Sequence, residues 1–599
     1  MKVGIFFSLN RLWKFFSIRR KKQYILLITL MMFVSFCEIL SIGAVIPFLA
    51  VLADPEIIYN QEYVLNISRA FAINEPDDLI LPFALLFIIA IIISSVARIV
   101  LVWFSTKLSF ETGLEIGADI FKKTLYQPYK IHVESNSSEI INGIVRKTDF
   151  IIQDIILEST RVISSFFFIL VVISFLVFIN PQMAISVFLG LGVLYSLIIF
   201  FNKSRLSLNS KKISLNTNKV MKSLQESLGG IKQVIVDGTQ ETFYQKFINV
   251  DVPLKKAQAS TQVLVTLPRF FIEALGMILI VIVALIFTKN YNGISNVVPF
   301  LGALALGAQR LLPVLNQGYA GISFILGGEE SLKDILNFLD RSPSIALKKN
   351  IEKLEFNKSI SFEEVCFRYK EDNHVLENLS LSIQKNSVVG LAGETGSGKT
   401  STLDLILGIL SPNSGRMMVD DIEIEETNVR KWQNNLSHVP QNIFLSDTTI
   451  RENIAFGLKN ENIKKEQLEN VADIALVSDF IKGLPKGLDT KIGERGVQLS
   501  GGQLQRIGIA RALFRMPEVL ILDEATSSLD NITERKIIKN IQNIPNITVI
   551  MVAHRLSTLE NCEKIFYLKN GAIQGEGSFK ELSQNNNDFK NMLDAINKH

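Results

Sequence analysis

Residues 393–400 read Gly-Glu-Thr-Gly-Ser-Gly-Lys-Thr, a G-x-x-x-x-G-K-[ST] pattern set between an apolar β-rich run, 387–392, and a helix-like run, 400–410. Glycines at this spacing let backbone N–H groups wrap a string of phosphates. Lys399 is placed to reach the β and γ phosphates, and Thr400 offers a hydroxyl to Mg²⁺. The strand before and the helix after argue against a mere glycine-rich turn. Residues 519–524, Val-Leu-Ile-Leu-Asp-Glu, form an apolar run ending in two carboxylates. Such a run suits a buried strand that holds Mg²⁺ through Asp523 and leaves Glu524 to polarise an attacking water, although any core strand can end in acids. Upstream of it, Leu499-Ser500-Gly501-Gly502-Gln503 stands immediately before helix-like 504–513. It offers an anion the N–H groups of a helix N-terminus; a plain N-cap would carry the same residues.

Chemistry of this kind needs a rigid platform, and the pattern after about residue 340 fits one. Short β-rich runs at 387–392, 519–523 and 547–553, bounded by turns or helix-like stretches, predict buried parallel strands in an α/β domain. Residues 341–356, with Ser342, Pro343 and Ser344, read as a linker, and 357–599 are long enough for one nucleotide-binding domain with its own core.

The rest of the chain is of another kind. The 599 residues are 48% hydrophobic and 20% charged, with a mean hydropathy of +0.29, more apolar than a water-soluble chain of this size, which predicts membrane insertion. Disorder and collagen are excluded by composition. Cys37, Cys366 and Cys562 lack the spacing of a disulfide framework or a zinc site, and a net charge of +4 is too small to argue for nucleic acid. Apolar runs long enough for about 30 Å of hydrocarbon begin near Tyr24, Leu79, Val162, Met183, Val263 and Val297, predicting six crossings. The first, 24–52, is too long for a signal peptide and no A-x-A site follows it.

Before that run, Arg11, Lys14, Arg19, Arg20, Lys21 and Lys22 interleave with Leu12, Trp13, Phe15 and Phe16. Residues 1–22 therefore read as an interfacial helix on the cytoplasmic face, and 23–340 as the six-span domain. Charge alternation agrees. Segment 53–78, predicted outside, holds Arg69 against Asp54, Glu56, Glu62, Glu75, Asp77 and Asp78. Segments 107–161 and 203–256, predicted inside, are rich in Lys and Arg. The outer connections at Asn180-Pro181 and 290–295 are short, whereas the inner ones carry apolar repeats at helical spacing, which predicts spans that continue far into the cytoplasm.

With these motifs the chain resembles the ATP-binding cassette family over essentially its whole length. Residues 499–503 look like the family signature, Tyr369 in Val365-Cys366-Phe367-Arg368-Tyr369 like the adenine-stacking aromatic, and Gln441 in Val439-Pro440-Gln441 like the Q-loop glutamine. Gly493-Glu494-Arg495-Gly496 resembles the exporter X-loop and Ser528-Leu529-Asp530 the D-loop. His554, of five histidines the one that ends a hydrophobic strand beyond the acidic pair, resembles the switch histidine. The resemblance implies two such domains sandwiching two ATP molecules head to tail. ATP would be bound by Tyr369, Gly393, Glu394, Thr395, Gly396, Ser397, Gly398, Lys399, Thr400, Ser401, Ser500, Gly501, Gly502, Gln503 and Asp530, with Ser500 and Gly502 of one chain contacting the nucleotide held by Lys399 of the other. Mg²⁺ would fall to Thr400, Gln441 and Asp523, and catalysis to Glu524, Gln441 and His554. The implied fold is a membrane all-α six-helix transmembrane domain of exporter type fused to a C-terminal α/β P-loop nucleotide-binding domain. It would lie in a bacterial inner membrane with the N-terminus and the nucleotide domain cytoplasmic. Segments near 129–138 and 229–241 would be coupling helices. Because Glu524 and the signature are both intact, a homodimer is implied, a heterodimer of two intact halves being the alternative.

Ionisable residues inside apolar runs are costly, and each asks for a role. Here they are Glu38, Arg98, Arg269, Glu273 and Arg310. Counted inward from the cytoplasmic ends of their runs, the three arginines share one depth, roughly 9 to 14 Å at 1.5 Å per residue. Two readings stand. The arginines snorkel to headgroups or pair with Glu38 and Glu273, or they line a basic cavity for an anionic lipid headgroup, since phosphate suits the guanidinium fork. The residues around them, 36–49, Pro268-Arg269-Phe270 and 309–313, resemble lipid-linked oligosaccharide flippases of the PglK type. That resemblance implies ATP-driven outward movement of a polyprenyl-pyrophosphate-linked glycan, and a helix in the first outer loop, here 55–72, that engages the polyprenyl tail. An exporter of another lipid, a drug or a peptide would share the architecture, and an ATP-gated channel or regulator would share every motif. A soluble cassette ATPase acting on nucleic acid is contradicted by the six spans.

Overall fold

The computed structural model describes residues 4–53, 55–61, 64, 75–179, 181–290, 294–341, 352–370, 373–493, 496, 499–552 and 556–597. The chain forms two compact units, one of Met1–Gln127 with Ile131–Ser344 and the other of Pro128–Lys130 with Ile345–His599.

The N-terminal unit is helical. Helix α1 (Ile5–Phe15) stops at Phe16, and the Ser17 hydroxyl accepts the Arg20 N–H to open α2 (Ile18–Gly43). Arg19, Arg20, Lys21 and Lys22 therefore stand in the first turn of α2 and not on α1. The expected first span, 24–52, is broken: α3 (Val45–Ala53) begins after Ala44. Pro47 explains the break. It has no N–H for the Gly43 carbonyl, which a continuous helix would need, whereas in the first turn of a new helix its missing donor removes no bond. Helix α4 (Pro55–Tyr59) follows, and most of the remaining 55–72 segment lies outside the described residues.

Helices α5 (Ile80–Leu125), α6 (Glu158–Ile179), α7 (Pro181–Gly229), α8 (Gln240–Asn290) and α9 (Ile294–Gly327) carry the other apolar runs. With 46, 49 and 51 residues, α5, α7 and α8 each exceed twice the roughly 30 Å of hydrocarbon at 1.5 Å per residue, so these helices do extend through the polar inner segments. Among the described residues three stretches, 18–41, 76–125 and 137–174, are long and apolar enough to cross a membrane. Short helices Tyr129–Glu134 and Ile231–Val236 interrupt the inner segments, and two π-helical stretches, Gly143–Lys147 and Ile151–Leu157, precede α6. Residues Asn180, 291–293 and 342–351, which hold the expected outer turns and most of the linker, lie outside the described residues.

Two contacts tie these helices together. Inside α8, Pro268 cannot donate to the Leu264 carbonyl one turn back; the Tyr319 hydroxyl from α9 donates to it at 2.9 Å, and Asn202 of α7 donates to the Tyr319 oxygen at 3.0 Å. Helix α10 (Glu329–Asp340) buries Leu332, Ile335, Leu336, Phe338 and Leu339 in a core with Leu12, Leu27, Ile116 and Ile151. Its Asp334 accepts from buried Lys147 at 2.7 Å and from Ser214 at 2.6 Å.

The C-terminal unit holds ten strands: β1 (Ser359–Lys370), β2 (Asn373–Gln384), β3 (Val388–Gly393), β4 (Ser414–Val419), β5 (Ile422–Glu423), β6 (Leu436–Val439), β7 (Val519–Asp523), β8 (Thr548–Val552), β9 (Lys564–Lys569) and β10 (Ala572–Gly577). One sheet, in the order β2-β1-β4-β5, is antiparallel. The other runs β10-β9-β3-β8-β7-β6 and is parallel from β9 to β6. Apolar cores on both faces explain why its strands read as unbroken apolar runs. Val552 of β8 pairs with Leu391 on one side and Asp523 on the other, so β3 and β7 end at the same sheet edge. Helix α11 (Lys399–Ile406) follows β3, α12 (Gly501–Phe514) precedes β7, and α13 (Asn531–Gln542) follows it. The loops carrying the expected phosphate, water and metal chemistry thus converge at the carboxyl edge of a parallel sheet.

Candidate active site

The loop after β3 is shaped by its glycines. Gly398 (φ +102°) caps α11, where a Cβ would sit 2.5 Å from Leu376 Cδ2, and a Cβ on Gly393 (φ +152°) would sit 2.2 Å from the Leu568 carbonyl oxygen. Gly396, in between, opens onto free space. Lys399 Nζ donates to the carbonyls of Gly393 at 2.7 Å and Glu394 at 2.8 Å. Burial pulls the Lys399 pKa down, while the charges of Glu524, Asp523 and Glu394 act in the opposite sense. Thr395 and Thr400 are exposed, and the buried Ser397 hydroxyl has no hydrogen-bond partner among the described residues. Tyr369, at the end of β1, places its hydroxyl 3.3 Å from Ser401 Oγ, stays half exposed and meets the Phe367 ring at 4.9 Å in a T-shaped contact.

At the end of β7 the Gln441 side chain donates to Glu524 Oε2 at 2.7 Å. Glu524 adopts φ +51°, unusual for a side-chain-bearing residue, and its N–H is held by the Val552 carbonyl. Asp404 on α11, not anticipated, is pushed up to about 6 by burial and by Asp523. Among the described residues no three carboxylate, His or Cys groups gather as a metal cage. That suits Mg²⁺, which takes one or two protein oxygens and completes its shell from substrate phosphates and water. An orphaned hydroxyl, a lysine folded onto its own loop and an N–H-rich helix start fit a Mg²⁺-nucleotide.

The signature differs from its expected form. Helix α12 begins at Gly501, not after Gln503, because Ser500 and Gln503 form a reciprocal capping box at 2.9 and 3.3 Å. Gly501 and Gly502 are therefore first-turn residues, packed close to Ser528. Buried Gln505, also not anticipated, donates to Ser527 Oγ at 3.0 Å and accepts the Ser528 N–H at 2.9 Å, fixing the D-loop on the signature helix. The Asp530 carboxylate, expected on ATP, caps α13 through the N–H groups of Ile532 and Thr533, and the Thr533 side chain together with these N–H groups holds its pKa low. Buried Glu534 accepts from Thr526 at 2.9 Å and from Thr558. His554, Glu494 and Arg495 lie outside the described residues.

Two of the expected cavity arginines are paired. Arg98 pairs with Glu38 at 2.5 Å, and Arg269 Nε donates to Glu273 at 2.7 Å one helical turn on. Glu38 is 3% exposed against 53% for Arg98. Neither arginine is a bare cation, because a charge in an apolar span is held most cheaply beside its opposite. Arg310 lies on α9, with its side chain outside the described residues.

Comparison with known proteins agrees with this arrangement. The family described as the ABC transporter transmembrane region matches residues 24–296, and that described as the ABC transporter matches 376–527. The chain is 34% identical over 362 residues to the heterocyst differentiation ATP-binding protein HepA of Nostoc, a match over 60% of this chain but only 58% of that protein's length. It is 29% identical to the ATP-dependent lipid A-core flippase of Pasteurella multocida over 79% of this chain and 81% of the flippase. A bacterial Atm1-family ABC exporter solved with ATP bound shares the fold, with a TM-score of 0.78 at 21% identity, covering 96% of this chain and 98% of that one. With both family regions matched in order and their motifs gathered at one sheet edge, the chain belongs to the ABC transporters, as an exporter-type half-transporter with a transmembrane region followed by a nucleotide-binding domain.

Proposed function

We propose that two copies of this chain form an ATP-driven exporter in a bacterial inner membrane and that its substrate is a polyprenyl-pyrophosphate-linked oligosaccharide. The observation that carries the ATP-driven part is the Gln441 to Glu524 bond at the sheet edge that also holds Lys399. Lys399 leaves the Gly393 and Glu394 carbonyls to meet the β and γ phosphates, and the Ser397 hydroxyl and the loop N–H groups take the remaining oxygens. Thr400, Gln441 and Asp523 would hold Mg²⁺, which when bound neutralises phosphate charge. Glu524 orients water in line with the γ-phosphate while Gln441 keeps its carboxylate turned towards the reaction. Ser500 and the first N–H groups of α12 from the second chain close over the same phosphate, with the helix dipole favouring its charge. His554, which follows β8 in the sequence, would supply the contact to the γ-phosphate.

The lipid part is supported by the long match to proteins named lipid A-core flippases. A pyrophosphate would compete with Glu38 and Glu273 for the forks of Arg98 and Arg269, and Arg310 would complete the cation set. The test is reconstitution into liposomes with a fluorescent polyprenyl-pyrophosphate glycan and, in parallel, labelled lipid A and phospholipid. ATP-dependent glycan movement that is lost in Arg310→Ala and only partly restored in Arg310→Lys is expected, because Lys keeps charge but not the bidentate fork. Movement of lipid A or phospholipid alone would replace the substrate reading. Movement by Glu524→Gln equal to the parent protein's would remove the ATP coupling.

A further inference from the structure

Helices α2 and α5 lie side by side, joined by the Tyr24 and Thr112 hydroxyls at 3.2 Å. Near the start of α2 a cavity of about 180 Å³ opens between them, lined by Arg19, Gln23, Trp103, Phe104, Lys107 and Glu111. It sits at a change of polarity on both walls. On α2 the basic turn 19–22 gives way to the apolar run from Tyr24, and on α5 the exposed Val96, Ile99, Val100 and Val102 give way to Trp103 and then Lys107. That is the level at which a span leaves hydrocarbon for headgroups, where Trp gathers and Lys reaches towards the polar side.

The charges around the cavity are not balanced at its mouth. Arg20, 6% exposed, pairs with both Glu111 and Glu115, and Ser17 takes the other Glu115 oxygen at 3.1 Å. A buried guanidinium thus absorbs the carboxylates that could have neutralised its neighbours. Lys107 comes no nearer than 4.0 Å to Glu111 and lies 5.1 Å over the Trp103 ring. Arg19 makes no hydrogen bond among the described residues and meets Glu111 only through a longer-range attraction. Two cations and the Gln23 amide nitrogen, whose oxygen accepts from Arg20 at 2.8 Å, therefore face one opening beside Glu111, itself held by Arg20, with Trp103, 60% exposed, as its apolar wall.

We propose that this cavity is a binding site for the headgroup of an anionic phospholipid from the inner leaflet. The phosphate lies between Arg19 and Lys107, the glycerol against Gln23 and Trp103, and the acyl chains along the exposed face of α5. A zwitterionic lipid brings its own cation to a mouth that already holds two, so the site selects net negative charge. It is independent of the transported substrate and of the nucleotide site, since none of its residues belongs to either.

Trp103 reports on the site directly. Of the three tryptophans, Trp432 is fully buried, so Trp13→Phe leaves Trp103 as the only lipid-accessible one. The Trp13→Phe full-length protein is reconstituted in phosphatidylcholine vesicles containing a minor fraction of phosphatidylglycerol or phosphatidylcholine brominated near the glycerol end of its chains. Brominated phosphatidylglycerol should quench Trp103 at lower mole fraction, with a preference of roughly fivefold for each contributing cation. The preference should shrink as salt is raised and disappear in Arg19→Ala/Lys107→Ala, with ATPase activity and melting temperature kept near the parent values. Equal quenching by the two lipids in the Trp13→Phe protein overturns the proposal. So does a preference indifferent to salt, which needs no further variant to fold, or one that survives the double substitution.

Discussion

The Gln441 amide and the Glu524 carboxylate, 83 residues apart, are joined by a 2.7 Å hydrogen bond across the paired ends of β6 and β7. Glu524 sits at φ +51° while making it, so backbone and side chain are both fixed before a nucleotide arrives. Orientation of this kind is what a water-polarising carboxylate needs.

Replacing Glu524 by Gln should lower steady-state ATPase by roughly 10²- to 10⁴-fold with ATP binding retained, since the amide keeps the shape and loses the base. Gln441→Ala removes one hydrogen bond to a charged group and should cost roughly tenfold to a hundredfold. Nucleotide binding and phosphate release measured on both proteins check this; near-normal turnover in Glu524→Gln would take the residue out of the reaction.

Ser500→Arg in one chain of a tagged mixed dimer should impair the site built on Lys399 of the other chain. It also removes a helix cap worth about 1 kcal/mol in its own chain, so Ser500→Ala serves as the capping control. Mixed dimers that hydrolyse ATP at both sites as the parent does would refute the head-to-tail arrangement.

His438 on β6 is half-buried, its Nε2 is buried with no hydrogen-bond partner among the described residues, and desolvation lowers its pKa to about 4 from 6.5. The unfolded chain then binds a proton that the folded one refuses as pH falls through about 6.5, so stability is full above that pH and is lost towards pH 4. The loss is at most about 3 kcal/mol. His438→Phe should melt within a few degrees of the parent at pH 7.5 and above it at pH 5. A parent melting temperature that is flat over this interval, relative to the variant, would contradict the assignment.

Arg98→Ala leaves the 3%-exposed Glu38 without its guanidinium and should destabilise by about 3 to 5 kcal/mol. Arg98→Met with Glu38→Gln should recover most of that loss. Thermal unfolding of the two proteins separates pairing from substrate binding: a stable double variant that still moves the glycan assigns Arg98 to architecture.

The nucleotide loops were legible because each motif is contiguous and its chemistry is carried by residue types within a few positions. What was not legible depends on contacts between distant segments. Gln505 looks like any polar helix residue until its side chain is found buried against Ser527 and Ser528. Glu534 is unremarkable until Thr526 and Thr558 meet on it from two different loops. Arg511, whose guanidinium donates to the carbonyls of Phe444 at 2.7 Å and Asn453 at 2.8 Å, belongs to the same class. In the membrane unit the depth of Arg98 was readable by counting, but its pairing with a carboxylate sixty positions away, raised as one reading, was settled only by packing. The break at Ala44 could have been read from Pro47; hydropathy alone runs straight across it.

The Tyr319 hydroxyl on the Leu264 carbonyl makes the two positions 268 and 319 epistatic. Tyr319→Phe should be more harmful while Pro268 is present, because a non-proline residue there would supply the missing N–H itself, whereas the lost acceptor for Asn202 is common to both backgrounds. Pro268→Ala should in turn be tolerated with Tyr319 in place, because the carbonyl oxygen has two lone pairs and can accept from both donors. A lineage could therefore lose both the proline and the hydroxyl only by passing through an intermediate in which the carbonyl has either two donors or none, and the first order of events is the passable one.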